Sequence, residues 1–187
     1  MAHDDDFAEL AARALALLGR GTVDRRSKLR WFTLATVSPE GLPQARTVVL
    51  RTVDRTARTL TLYSDARATK MADITAQPRV MCHFFDSDAM VQMRWSGQAI
   101  VHHEGAVWQR HWQGLTDRGK RDYASLAAPG AAEPDTAYDA SMAEVYFRAI
   151  EVQLQALDWL SLSRDGHRRA RLQWSDDGDV TGDWVVP

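Results

Sequence analysis

Residues 59–63, Thr-Leu-Thr-Leu-Tyr, alternate polar and apolar side chains with a period of two, as a half-buried strand requires. Two runs rich in β-branched residues, 29–37 and 43–52, flank the turn sequence Ser38-Pro-Glu-Gly41 and predict two more strands in an antiparallel meander. The N-terminal segment reads differently. Phe7, Leu10, Ala11, Ala14, Leu17 and Leu18 recur at helical spacing, with Asp4 to Asp6 as candidate N-caps and Gly19 and Gly21 as stops, so a helix is expected over about 5–19.

Helical spacing returns at 66–76 through Ala68, Met71, Ala72 and Thr75, and Pro78 ends it. Strands follow at 79–85 and 90–102 about the Asp86-Ser-Asp88 turn, then helices at 105–113 and 117–127, a loop at 127–134, and a helix at 140–148. Strands near 150–162, 167–174 and 183–186 complete the pattern. There is no βαβ rhythm, repeat or linker, which favours a closed antiparallel barrel over a doubly wound sheet. The fold class is mainly β (α+β), an antiparallel β-barrel with peripheral helices. One domain over 1–187 is expected: N-terminal helix about 5–19, barrel core about 29–102, helical insert about 105–148 and C-terminal strands about 150–186.

A chain of 187 residues is long enough to bury roughly 70% of its surface in one domain. Its net charge of −2 argues against a protein built to coat nucleic acid or an anionic membrane. No apolar run approaches the ~18 residues of a membrane span, and the acidic start is the reverse of a signal peptide. Cys82 stands alone, so no intrachain disulfide can form and a reducing, cytoplasmic setting is expected. Only three basic residues are lysines (28, 70 and 120); the remainder are arginines, the fork-shaped donors suited to phosphates and carboxylates, although a codon bias produces the same skew.

Several chemistries are excluded by their missing motifs. Neither G-x-G-x-x-G nor G-x-x-x-x-G-K-[ST] occurs, nor does G-x-S-x-G. Cys82 lies within an apolar strand and reads as a buried, inert thiol. His102 and His103 are adjacent on a strand and point to opposite faces, so they cannot share a metal, and no metal site is expected. What remains is polar residues at strand ends. Arg46 and Arg51 stand at the two ends of one strand and, at an odd offset, face opposite sides if that strand is regular. Tyr63-Ser-Asp-Ala-Arg-Ala-Thr-Lys70 closes a strand and opens a helix, where backbone N–H groups, hydroxyls, Arg67 and Lys70 suit a phosphate. An ordinary strand–turn–helix with solvated cations fits the same residues.

The ordered set Arg46-x-x-x-x-Arg51, Leu62-Tyr-Ser-Asp65, Arg67-Ala-Thr-Lys70, Gln77-Pro-Arg79 and Gln92-Met-Arg94-x-x-Gly97 resembles the pyridoxamine 5′-phosphate oxidase-like family of FMN-binding split β-barrels, over about residues 29–102. The resemblance implies FMN bound at the interface of a homodimer. Arg46, Arg67 and Lys70, helped by Ser64 and Thr69, would hold its phosphate, and Arg51 and Tyr63 belong to the same motifs. Backbone around Val48 and Val49 would line the ring, and Gln92 would hydrogen-bond its polar edge. Trp159 and Arg169 stand where the family places a tryptophan and an arginine from the partner subunit, and His167 where it holds substrate. The chain departs from the family at Asp165, which replaces a substrate-binding cation, and at its end, Trp184-Val-Val-Pro187. An aspartate facing a substrate phosphate repels it, so the departures favour FMN binding without vitamin B6 phosphate oxidation. The implied function is an FMN-dependent oxidoreductase acting on a small molecule, with neither nucleic acid nor membrane as partner. The alternatives are a non-catalytic flavin- or haem-binding module, with His83, His102, His103 and His111 as candidate axial ligands, and a barrel that only dimerises.

Overall fold

The computed structural model describes residues 6–132, 137–164, 166–175 and 177–187. Helix α1 (Phe7–Val23) starts at Asp6, whose carboxylate accepts from the amides of Ala8 and Glu9. The helix runs past Gly19 and Gly21, correcting the expected stop at 19. Gly21 lies against the Leu29 backbone, where an added Cβ would stand 3.2 Å from the Leu29 carbonyl group, so this glycine serves close approach rather than termination. A 3₁₀ turn at Lys28–Arg30 leads into β1 (Trp31–Val37).

The remaining elements are β2 (Pro43–Val49), β3 (Thr52–Asp54), β4 (Thr59–Asp65), α2 (Thr69–Ala76), β5 (Arg79–Asp86), β6 (Val91–His102), α3 (Gly105–Gln113), α4 (Asp117–Arg121), α5 (Met142–Tyr146), β7 (Phe147–Ser161), β8 (Arg168–Trp174) and β9 (Val180–Val185). Their order matches the sequence pattern closely. The expected second strand, however, is two strands, broken at Leu50 and Arg51, so the parity argument for Arg46 and Arg51 does not apply.

All strands join one antiparallel sheet in the order β2-β1-β5-β6-β7-β4-β3, with β8 branching from β7 and β9 from β8. The sheet is not closed by hydrogen bonds around a full ring, which corrects the closed barrel. The chain itself spans the gap: β2 and β3 end the path on opposite sides, and residues 50–51 carry the backbone between them. Leu50 N–H donates to the Arg30 carbonyl and Arg51 N–H to the Thr61 carbonyl. The expected split barrel with peripheral helices is therefore the fold.

The long strand β7 organises the split. Its residues 147–153 pair with β4 and 156–161 with β8, while β6 lies along the other edge. The β6–β7 register shifts between Ser96 and Gly97. At that bulge a Cβ on Gly97 would sit 2.1 Å from the Gln153 carbonyl oxygen, so the two backbones approach at a distance that glycine alone allows.

Alternate residues of β1, β5, β6 and β7 point inward to the main core, including Phe32, Leu34, Cys82, Phe84, Met93, Trp95, Val152, Leu154 and Leu157. Burial pushes the Cys82 thiol far above its usual range, as expected of an inert thiol. A second cluster, Trp108, Tyr123, Ala124, Ala143, Phe147 and Ala149, seats α3 on the outer side of β4 and β7. The opposite, outward face of β1-β5-β6 is left open: Trp31, Phe85 and Val37 are 57%, 41% and 39% exposed. No described helix is long and apolar enough to cross a membrane.

Gly97→Ala is expected to lower stability by about 3 kcal/mol, because a backbone oxygen cannot give way as a flexible side chain can. Urea denaturation would show this as a lower midpoint at unchanged slope.

Candidate functional site

Arg46 lies on β2 opposite Leu34, on the inward side of the sheet beside α2. Its guanidinium donates to Thr36 Oγ1 (2.5 Å), the Leu34 carbonyl (3.3 Å) and Asp73 Oδ2 (3.0 Å). Thr36 Oγ1 donates to the same carboxylate oxygen at 2.6 Å. Asp73 is only 3% exposed, so this ion pair fixes α2 to β1 and β2 as well as aiming Arg46.

At the start of α2, Ala68 occupies the cap position without any side-chain hydrogen bond. The first-turn amides, with Thr69 as the first helical residue, thus have no side chain capping them, the arrangement that receives an anion. Lys70 Nζ donates to Ser64 Oγ at 3.1 Å. Ser64 is buried at 4% exposure. Desolvation, then the neighbouring Arg46 charge, hold the Lys70 amine below its ordinary value, and the charges of Asp65 and Asp73 oppose this incompletely. Two cations beside a buried hydroxyl and an uncapped helix start therefore lie close together. This grouping fits a phosphate.

The other expected phosphate ligands are deployed elsewhere. Arg67 forks onto Asp65 (Nε–Oδ1 3.0 Å, Nη2–Oδ2 2.7 Å) and donates to the carbonyls of Ser125 and Leu126 at 2.9 and 3.0 Å. Its guanidinium also lies 3.5 Å from the Tyr146 ring centroid. Arg67 thus clamps the segment after α4, because an aspartate two residues upstream holds it. Arg51 stacks over the Tyr63 ring at 5.0 Å, and its Nε is buried without a partner. Tyr63 Oη lies 3.0 Å from His111 Nδ1, and burial raises the phenol while lowering the imidazole, so both groups stay neutral.

Among the described residues β2 pairs with β1 only, so along Pro43–Val49 its second backbone edge has no strand partner there. Val48 packs its side chain into the core, and Val49 is half-buried on the other face.

Gln92 and Arg169 fall on one register line, Phe85–Gln92–Leu160–Arg169, on the outward face of the sheet. Gln92 Oε1 is 3.1 Å from His83 Nε2. Trp159 pairs with Met93 and Ala170, so it leaves the ladder on the inward side, with its ring edge-on to Trp184 at 6.2 Å. The structure therefore separates Trp159 from Arg169, although the resemblance groups them. His167 is exposed, and the departure at Asp165 lies outside the described residues.

Sequence reasoning gave no role to Arg94 or Asp158. The Asp158 carboxylate receives Arg169 on both oxygens (2.9 and 2.7 Å), a very short bond from Arg94 Nη2, and Arg171 at 3.6 Å. Its partners lie on neighbouring strands, so only the register reveals them. Of the candidate haem ligands, His83 meets Gln92, His102 is 2.9 Å from Glu151, His103 is exposed beside Glu104, and His111 meets Tyr63. Among the described residues no His, Cys, Asp and Glu group could hold a metal ion.

Residues 15–103 match the family model described as the FMN-binding domain of pyridoxamine 5′-phosphate oxidase. That segment, a little under half of the chain, is thus similar to the FMN-binding domain of the pyridoxamine 5′-phosphate oxidase family. A curated relative, a pyridoxine/pyridoxamine 5′-phosphate oxidase of Granulibacter bethesdensis, is 33% identical over 103 residues, which span 54% of this chain and 46% of that protein. Among solved structures, an FMN-binding protein related to this oxidase from Nostoc punctiforme superposes over 100% of both chains with a TM-score of 0.74 at 20% identity. PhzG from Burkholderia lata, solved with tetrahydrophenazine-1-carboxylic acid, covers 98% of this chain and 95% of its own, with a TM-score of 0.71 at 18% identity. These two likenesses establish the fold.

Two variants separate the roles of the cations. Lys70→Met removes a desolvated charge whose amine is held below its ordinary value. Such a base costs stability at every pH below its folded value and ceases to do so only above its unfolded one. This variant is therefore expected to melt higher than the wild type without ligand at pH 7, and to lose the melting shift that FMN gives the wild type. Arg46→Ala strands the buried Asp73 carboxylate and is expected to cost about 3–5 kcal/mol in denaturant titrations.

Proposed function

We propose that this chain is an FMN-dependent oxidoreductase acting on a small molecule, working as a homodimer. The observation that carries the reading is the Arg46–Ser64–Lys70 group beneath the uncapped start of α2. Lys70 would face the FMN phosphate as a point charge, with Arg46 behind it held by Asp73, and Ser64 and the α2 amides completing the cradle. The edge of β2 at Val48 and Val49 that has no strand partner would offer backbone donors and acceptors to the ring. Gln92 and Arg169 would meet its polar edge, whereas Tyr63, with Arg51 stacked on its ring, faces α3 on the side of β4 away from Ser64. When bound, the flavin supplies reversible two-electron redox chemistry. The chain's part is to bind, orient and exclude water, and no protein acid–base pair is needed for that transfer.

Homodimerisation is supported by the layout of the sheet. Arg46 and Lys70 gather on its inward side, whereas Gln92 and Arg169 share the outward face with exposed Trp31, Phe85 and Val37. An open apolar face bearing polar flavin-edge donors is what a second copy would cover, bringing its own donors to its neighbour's cradle. Trp31→Asp is expected to shift the protein from dimer to monomer in sedimentation equilibrium.

For the redox reading, protein supplied with FMN and freed of excess should retain absorption bands near 370 and 450 nm. Anaerobic addition of NADH, NADPH, pyridoxamine phosphate or a dihydro-aromatic carboxylic acid, the last suggested by the ligand of the Burkholderia relative, should bleach those bands with one donor. A protein that returns from this treatment colourless excludes the proposal. Retained bands that no donor bleaches would leave a flavin carrier without turnover.

A further inference from the structure

The carboxylate of Asp158 stands at the middle of the outward sheet face, ringed by arginines from both neighbouring strands. Arg94 on β6 and Arg171 on β8 are its register partners, and Arg169 lies two residues along β8 on the same face. Arg169 meets it as a fork, Nε on Oδ1 at 2.9 Å and Nη2 on Oδ2 at 2.7 Å, and Arg94 Nη2 shares that second oxygen. A bidentate pair fixes the plane and azimuth of a guanidinium, which a single hydrogen bond does not. It uses one edge of the Arg169 fork and leaves Nη1 free of any hydrogen bond among the described residues. That free edge lies on the register line of Gln92, whose Oε1 is taken by His83.

The cluster is too rich in positive charge to be explained as a simple cross-strand tie. Three arginines share one carboxylate and Asp183 stands opposite Arg171 in the β8–β9 register, so the nearby acids fall about one charge short on a sheet face that also carries Gln92, His83, Leu160, Phe85 and Trp31. Arg94 Nε is buried with no partner. Burial alone would raise the Asp158 carboxyl, but the hydrogen bonds and charges of Arg169 and Arg94 outweigh it and keep the group ionised. The pairs thus persist across the neutral range and are lost only as pH falls below the ordinary aspartate value.

We propose that Asp158 is a positioning residue that locks Arg169 in the orientation in which its free edge meets the electron-rich edge of the bound flavin. The inference rests on the flavin reading above. It gives Asp158 no contact with the ring: the aspartate acts through Arg169 and sets both FMN affinity and the flavin midpoint potential.

Three variants, Asp158→Asn, Arg169→Ala and the double, test it as a cycle. Each is loaded with FMN, and its dissociation constant and midpoint potential are measured alongside its melting temperature. A positioning role predicts that Asp158→Asn weakens FMN binding about tenfold and lowers the potential, as Arg169→Ala does, with the double no worse than Arg169→Ala. A direct electrostatic role predicts the opposite sign, because deleting a negative charge near the flavin raises its potential, and that result overturns the proposal. So does a lower melting temperature with affinity and potential unchanged, or an additive double variant. A wild-type protein that binds no FMN would instead defeat the underlying reading, and the two failures are thereby told apart.

Discussion

The contact at Gly97 governs the architecture. There the backbone of β6 comes within Cβ-excluding distance of Gln153 on β7, and the register of the longest ladder slips by one residue. The slip falls where β7 stops pairing with β4 and starts pairing with β8. A straight, continuous pairing would carry one sheet through this point; the bulge bends it, so that β4 turns toward the barrel while β8 and β9 extend along the far half of β7. The split of the barrel and the placement of Arg169 on the outward face follow from this single close approach.

The same frame keeps two chemistries apart. Inward, at the barrel mouth, the buried Asp73 holds Arg46 and α2 in one network, and the start of α2 is left without a side-chain cap. Outward, Asp158 gathers three arginines over an open face that also carries Gln92, His83 and the exposed apolar side chains of Trp31, Phe85 and Val37. A single chain presents a phosphate-sized cation group on one side of its sheet and a planar-edge donor group on the other. A ligand with a phosphate at one end and a flat polar ring at the other would be completed by two such chains, each lending one side.

Much of this was legible in the chain, because alternation and turn residues are local. The strand at 59–63, the helix ended by Pro78 and the Asp86-Ser-Asp88 hairpin all lie where the pattern put them, and Ser64 and Lys70 meet because a strand end and the next helix start are near in sequence and space. Where the reading failed, a non-local fact decided. The run 43–52 looks like one strand, yet Leu50 and Arg51 must carry the chain across the barrel's opening, so the parity of Arg46 and Arg51 is not preserved. Gly21 reads as a stop until the Leu29 backbone is seen beside it. Trp159 and Arg169, ten positions apart, look like partners, but the β7–β8 register sends them to opposite faces.

The arginine skew acquires a physical meaning from these pairings. Arg46 is matched by Asp73, Arg67 by Asp65, and Arg94 and Arg169 by Asp158; Arg67 and Arg169 fork onto both carboxylate oxygens, and Arg46 and Arg94 each donate to one. These arginines first serve the fold, orienting segments that backbone hydrogen bonds alone leave free to rotate, and a near-neutral net charge is the consequence. Lys70 is built to a different rule. Its partner is a hydroxyl, the neighbouring charge that acts on it most is another cation, and it is partly stripped of water. A compact ammonium in that position gains little from folding and much from an incoming anion. The rarer of the chain's two cationic residue types is thus the one placed where a phosphate brings the largest gain.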